Sequence, residues 1–270
     1  MKQKLHGSYI KCGIGLLAIA LCLFSAAFWT SIASAEIIMT TATGSGADTY
    51  LSNDSQSSSY YATVVHGSTV DMQARISTGS RTRIPYFRFD ISSAAGTNLT
   101  GAILSFYMSY NNGNRKRTWN VYGLNDGSGD SWGESTTDYA NAPGILQPST
   151  YNDGNYSLDI GTSANQLTLL GAVTFPASTG VVVTSTTASL NLDSFLAADT
   201  NGLVTFVLVA QSSDSNANYS FATKENTSSW AYPTLDLPNA VVPEPAALAM
   251  LFTALAAMGG LITFRKRRVK

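Results

Sequence analysis

The 270-residue chain is 44% hydrophobic and 12% charged, and its net charge of −1 hides an uneven distribution. Eight of the sixteen Lys and Arg side chains lie before residue 36 or after residue 242, which leaves residues 36–242 with eight basic against sixteen acidic side chains, a net −8. That excess argues against nucleic acid as a partner, because binding to a phosphate backbone runs on Lys and Arg. Both cysteines, Cys12 and Cys22, precede residue 36, and His66 is the one histidine after it. The body therefore has no disulfide, no thiolate nucleophile, no multi-histidine zinc site and no histidine relay.

At the N-terminus Lys2, Lys4 and Lys11 precede an apolar run from Cys12 to Trp29, and Ala33-Ser34-Ala35 offers small residues at the two positions that a signal peptidase reads. Residues 1–35 are expected to be a secretory signal peptide cut after Ala35, the alternative being an uncleaved anchor.

Residues 36–240 read as a single all-β domain, a β-sandwich or jelly roll. In Thr82–Ile91, Phe87, Phe89 and Ile91 alternate with Tyr86, Arg88 and Asp90, the period of two of a half-buried strand. In Ala102–Tyr110, Leu104, Phe106, Met108 and Tyr110 share one face, and the turn Asn111–Asn114 ends the run. Arg117–Leu124 reads as its returning partner. Leu167–Val173, Val181–Ser185, Tyr219–Lys224 and Pro233–Leu237 are further short strands, and Leu203–Ala210, apolar on both faces, is a central strand covered on both sides. Ala188–Ala198 alone has helical spacing, through Leu192, Phe195 and Leu196. The Ser, Thr, Gly and Asn content also suits a disordered chain, but alternating aromatic residues supply a core.

Several pieces of this body, in order over about 190 residues, carry a resemblance: Ala47-Asp48-Thr49-Tyr50, Tyr86–Ile91, Ala102–Tyr107, Asn120–Leu124, Trp132-Gly133-Glu134-Ser135, Asn141-Ala142-Pro143, Phe221–Glu225 and Pro233-Thr234-Leu235. Together they resemble the DNRLRE-type domains of secreted bacterial proteins, a β-sandwich family that includes carbohydrate-binding modules. Tyr139 stands where that family often has tryptophan, and Ser59-Tyr60-Tyr61-Ala62 replaces an expected Asn-Tyr-Gly loop. The resemblance implies a non-catalytic binding role.

Catalytic chemistry finds little support. Gly129-Asp130-Ser131-Trp132-Gly133 matches the G-x-S-x-G elbow, which needs a strand before it and a helix after it; polar turn residues flank it here. His66 beside Gly67 reads as an exposed loop residue. Asp126, Asp130, Glu134 and Asp138 are near enough in sequence to tempt a glycosidase reading, but such a pair must face across a cleft. Asn125–Asp130 instead suits calcium through Asp126 and Asp130, hard oxygen donors among turn-permitting glycines; an Asx-rich turn needing no metal is the alternative. No other cofactor is expected. Trp132 and Glu134 read as structural, a buried aromatic ring and a turn-capping carboxylate.

Seven of the eight basic residues of the body, Arg75, Arg81, Arg83, Arg88, Arg115, Lys116 and Arg117, fall within 43 positions. Guanidinium forks match carboxylates and sulfates, and Trp119, Tyr107 and Tyr122 nearby offer rings for stacking on sugars. An acidic polysaccharide is the expected ligand, with Arg75, Arg81, Arg83, Arg115, Lys116, Arg117 and those three rings as its contacts. The alternative is that the charges solvate the sheet and protect its edges.

In residues 241–270, Pro243-Glu244-Pro245 precedes the 19 uncharged residues Ala246–Phe264, about the length of a membrane-spanning helix, and then Arg265-Lys266-Arg267-Arg268. The basic block holds the body outside by the positive-inside rule. This triplet of features resembles the PEP-CTERM sorting signal, in which an exosortase recognises the motif, helix and basic tail and passes the protein to the envelope or an exopolysaccharide matrix. An ordinary single-span anchor is the alternative.

The expectation is an exported cell-surface or matrix protein, handled by signal peptidase and exosortase, held at the membrane by its C-terminal helix at least transiently, and binding polysaccharide without turnover. A purely structural or adhesive matrix protein is the second reading, and a polysaccharide-active enzyme the third.

Overall fold

A computed structural model describes residues 36–54, 61–76, 81–127, 129–145, 166–186, 189–211 and 217–240. The expected cleavage residues Ala33 and Ala35, the Pro243-Glu244-Pro245 motif, the apolar span and the Arg265–Arg268 block lie outside the described residues. No helix among the described residues is long and apolar enough to cross a membrane.

Eleven strands and one short α-helix form among the described residues: β1 Ile37–Thr40, β2 Ala47–Asp54, β3 Asp71–Ile76, β4 Arg81–Asp90, β5 Ile103–Asn111, β6 Arg117–Leu124, β7 Leu167–Phe175, β8 Val181–Thr186, α1 Leu192–Ala197, β9 Leu203–Ala210, β10 Ala217–Ala222 and β11 Thr234–Leu237. They make one antiparallel sheet in the order β1-β11-β5-β10-β3-β4-β9-β6-β7, with β2 added on β4 and β8 on β5. The sheet curls until its two halves face each other. Phe106 and Met108 of β5, Phe221 of β10 and Met72 of β3 meet Phe87 and Phe89 of β4, Phe206 of β9 and Trp119 of β6 in one core.

Strand β9 answers its sequence pattern. Val204, Phe206 and Leu208 enter the main core, while Val207 and Val209 face a second cluster. The second cluster also corrects the reading of β4 as half-buried. Ile84 and Tyr86 pack there under Trp132, Tyr139 and Ala142 of the long loop after β6, so both faces of β4 are covered.

The expected β5–β6 hairpin does not form. Strand β6 pairs with β9 and β7, whereas β5 pairs with β10, β11 and β8. The turn after β5 arches from one half of the sandwich to the other, pinned by Asn111 Nδ2 donating to the carbonyls of Arg115 (3.1 Å), Pro176 (3.1 Å) and Ala177 (3.2 Å). Facing across the core buries Phe106 and Trp119 against opposite layers, the arrangement by which two packed sheets fill their common interior. Strands β1, β2 and β3 escaped the sequence reading: β1 is apolar but only four residues long, β2 interleaves its apolar residues with Asp48, Thr49, Ser52 and Asn53, and β3 brings Met72 and Ala74 to the main core.

Candidate functional site

Strand direction gathers the basic residues at one end of the sandwich. Arg75, near the end of β3, stands opposite Arg83, near the start of β4, and Arg81 opens β4. Arg83 donates to Gln73 Oε1 on the neighbouring strand. Arg115 and Lys116 are exposed just before β6, which Arg117 opens. The Tyr219 hydroxyl of β10 donates to the Arg115 carbonyl at 2.7 Å, and Tyr219 pairs with Ala74, one residue before Arg75. Six sequence-expected basic residues thus share one end of the fold.

The aromatic candidates divide. Trp119 is 1% exposed and packs edge-on to Tyr219 in the main core, so it presents no face to a sugar. Tyr122 packs against the second cluster. Tyr107 points outward from β5, opposite Val182, which is 55% exposed. Tyr110, expected inside, is 48% exposed instead. Ser220 pairs with Tyr110 and Phe221 with Met108, which leaves Ser109 as an extra residue in a β-bulge. The bulge turns Tyr110 out and lets Asn111 turn in. A one-residue insertion of this kind reverses every later side chain, and nothing in the local composition announces it.

Arg88 is buried and does not join the basic end. Its Nε donates to the Ser45 carbonyl (2.9 Å) and its Nη1 to the carbonyls of Asp130 (3.2 Å) and Trp132. His66 is likewise no exposed loop residue. It stacks on Tyr50 with ring centroids 4.0 Å apart, and its Nε2 lies 2.8 Å from Ser52 Oγ. Burial, with Arg83 adding to it, pulls the imidazole down to about 4.

The calcium candidates Asp126 and Asp130 are brought together with Asp199, which follows α1, one oxygen of each lying within 4.8 Å of the others. Protein donors already serve this group. Thr200 N–H and Oγ1 reach Asp126 Oδ2, Asn201 Nδ2 reaches Asp130 Oδ2 at 2.8 Å, and Gly202 N–H reaches Asp199 Oδ2 at 2.7 Å. Burial raises the Asp199 carboxyl, and the charges of Asp126 and Asp130 raise it further.

Other acids of that region have structural partners. Asp138 Oδ1 accepts the amides of Ala140 (2.9 Å) and Asn141 (3.0 Å). Glu134 caps no turn of its own: Oε1 accepts the Asp48 amide at 3.0 Å, and Oε2 lies 2.5 Å from Lys224 Nζ. Ser131 sits in a turn with no helix after it, which removes the elbow geometry. Trp132 is buried as expected, its Nε1 donating to Thr205 Oγ1 at 3.0 Å.

Sequence reasoning missed Asp48, Glu225 and Asp199. Asp48 had a visible signal, an ionisable residue in step with Tyr50 on the core-facing side of β2.

A hollow of about 480 Å³ lies at the end opposite the basic residues, between Leu99, Thr100 and Asp193, Leu196 of α1. The site-bearing features are therefore a polar and aromatic outer surface and a charged sandwich end, on an antiparallel β-sandwich. Residues 39–166 match the family model of carbohydrate-binding module family 96, and the domain is carbohydrate-binding-module-like. No curated protein matches the chain. The matched stretch contains β2 to β6, and β7 to β11 complete the same sheet from beyond it.

Proposed function

We propose that this chain is an exported, non-catalytic protein of the cell envelope surface or extracellular matrix that binds acidic polysaccharide. The match of residues 39–166 to a carbohydrate-binding module family carries the ligand class. The gathering of Arg75, Arg81, Arg83, Arg115, Lys116 and Arg117 at one end supports an anionic glycan, since guanidinium forks pair with carboxylates and sulfates. Tyr107 and Tyr110, on the outer face of β5, are the rings offered for stacking, in place of Trp119 and Tyr122. Export rests on Lys2 to Ala35, and delivery on Pro243-Glu244-Pro245, the apolar span and Arg265–Arg268, read by signal peptidase and an exosortase.

The test is affinity electrophoresis of the detergent-solubilised full chain through gels containing neutral or acidic polysaccharides. Retardation by acidic glycans that disappears at about 0.5 M salt is the expected result, because screening at that strength suppresses contacts between exposed charges. No retardation by any glycan would leave a structural matrix protein as the better account. For sorting, replacing Pro243, Glu244 and Pro245 by alanine is expected to leave uncut precursor in the membrane.

A further inference from the structure

Asp48 of β2, Glu134 of the loop after β6 and Glu225 of the loop after β10 converge, one oxygen of each lying within 4.8 Å of the other two. The backbone presses in around them. A Cβ on Gly67 would stand 2.2 Å from the Glu134 carbonyl oxygen, and one on Gly46 2.5 Å from that of Thr41.

Asp48 is 0% exposed. Its Oδ2 is served by Thr41 Oγ1 at 2.5 Å and the Lys224 amide at 2.9 Å. Its Oδ1 and Glu225 Oε2 are both buried with no hydrogen-bond donor. Buried carboxylate oxygens are costly without a donor or a cation, so two at one place call for an explanation.

The local charge does not supply one. Lys224 pairs with Glu134 and also acts on Glu225, and Arg88, which feels the Glu134 charge, turns Nε and Nη1 to the Ser45, Asp130 and Trp132 carbonyls, so two cations face three carboxylates and neither unserved oxygen gains a donor. Burial pushes the Asp48 carboxyl up to about 7, with Glu225 and Glu134 adding to it, and burial likewise raises Glu225.

We propose that Asp48, Glu134 and Glu225 hold a divalent cation, with Asp48 Oδ1 and Glu225 Oε2 as its unserved ligand atoms. An all-oxygen, carboxylate-rich donor set selects a hard ion. A buried site that supplies its ligands from protein favours calcium over magnesium, which keeps several of its waters. The ion would tie β2 to two loops that are distant in sequence. This site is separate from the Asp126 group and does not depend on glycan binding.

The experiment follows thermal unfolding of the detergent-solubilised full chain by tryptophan fluorescence, in excess EDTA and in millimolar calcium chloride. Wild type is compared with Glu225→Gln and Asp126→Asn. Calcium is expected to raise the Tm of wild type and Asp126→Asn by about 5 °C and to leave Glu225→Gln unmoved, since a bound ion stabilises only the folded state. Should Glu225→Gln fail to fold, terbium emission sensitised through Trp132 and displaced by calcium reads the site in wild type and Asp126→Asn. A Tm indifferent to calcium, with no terbium emission, overturns the proposal, and a higher Tm in Asp48→Asn would then put a shared proton in the ion's place. A calcium response kept by Glu225→Gln and lost by Asp126→Asn also overturns it, by moving the ion to the other acidic group.

Discussion

The Arg88 guanidinium carbon lies 5.0 Å from the centroid of the Trp132 ring, while Nη1 of the same side chain donates to the Trp132 carbonyl. One buried cation thereby clamps the long loop after β6 onto β4, adding the Asp130 and Ser45 carbonyls to its grip. Arg88→Ala leaves three carbonyls without this donor and is expected to cost about 3 kcal/mol. That corresponds to a Tm lower by roughly 6–12 °C for a domain of this size. Arg88→Lys keeps the charge but not the fork and should recover less than half of the loss, as read by thermal unfolding.

Acid should loosen the protein through His66. Its folded pKa, about 4, lies below the ordinary imidazole value of 6.5, so the unfolded chain takes up the proton first. The stability contribution is whole above pH 6.5, falls between 6.5 and 4, and is lost below that. The full shift corresponds to about 3 kcal/mol, and solvent screening at a half-buried site cuts this to about 1 kcal/mol. Asp48, raised to about 7, and Asp236, raised to about 6, titrate in the opposite sense over part of the same window. The clean measurement is therefore a difference: wild type should lose about 1 kcal/mol more than His66→Gln when denaturant titrations at pH 7.5 and pH 4 are compared.

Gly123 of β6 lies under the ring of Phe195, where an added Cβ would stand 2.4 Å from Cε2. Gly123→Ala is expected to displace α1 at a cost of about 1–3 kcal/mol, the usual range for overpacking. Gly123→Ala combined with Phe195→Leu should cost less than Gly123→Ala alone.

Surface and core substitutions should separate binding from folding. Tyr110→Ala, and Arg115 and Lys116 both changed to serine, are expected to weaken retardation by acidic polysaccharide at least fivefold while moving the Tm by less than about 3 °C, since these are exposed positions. Trp119→Ala should do the reverse of a binding mutation, costing about 3–5 kcal/mol of stability as a large core ring is lost.

The strands that the sequence made legible are those whose pattern is local. Leu203–Ala210, apolar on both faces, became the doubly covered β9, and Phe87 and Phe89 entered the main core. What depended on distant partners was not legible. The Asn111–Asn114 turn looks like a hairpin turn, yet the strands it joins lie in opposite layers. Tyr110 obeys alternation until a bulge against β10 reverses it. The basic cluster was visible because seven charges crowd into 43 positions. The acidic group was hidden because Asp48 meets Glu134 across 86 positions and Lys224 across 176.

Strand β9 enters between β4 and β6, although it follows both in the chain by more than 75 residues. Until residue 210 has been synthesised, the edges of β4 and β6 that it fills stay open, and β1 waits still longer for β11. Contacts of such sequence separation make folding slow and late. A nascent chain of this topology lacks its central strand until more than three quarters of its residues have emerged from the ribosome, a delay that would keep it threadable in the export proposed above.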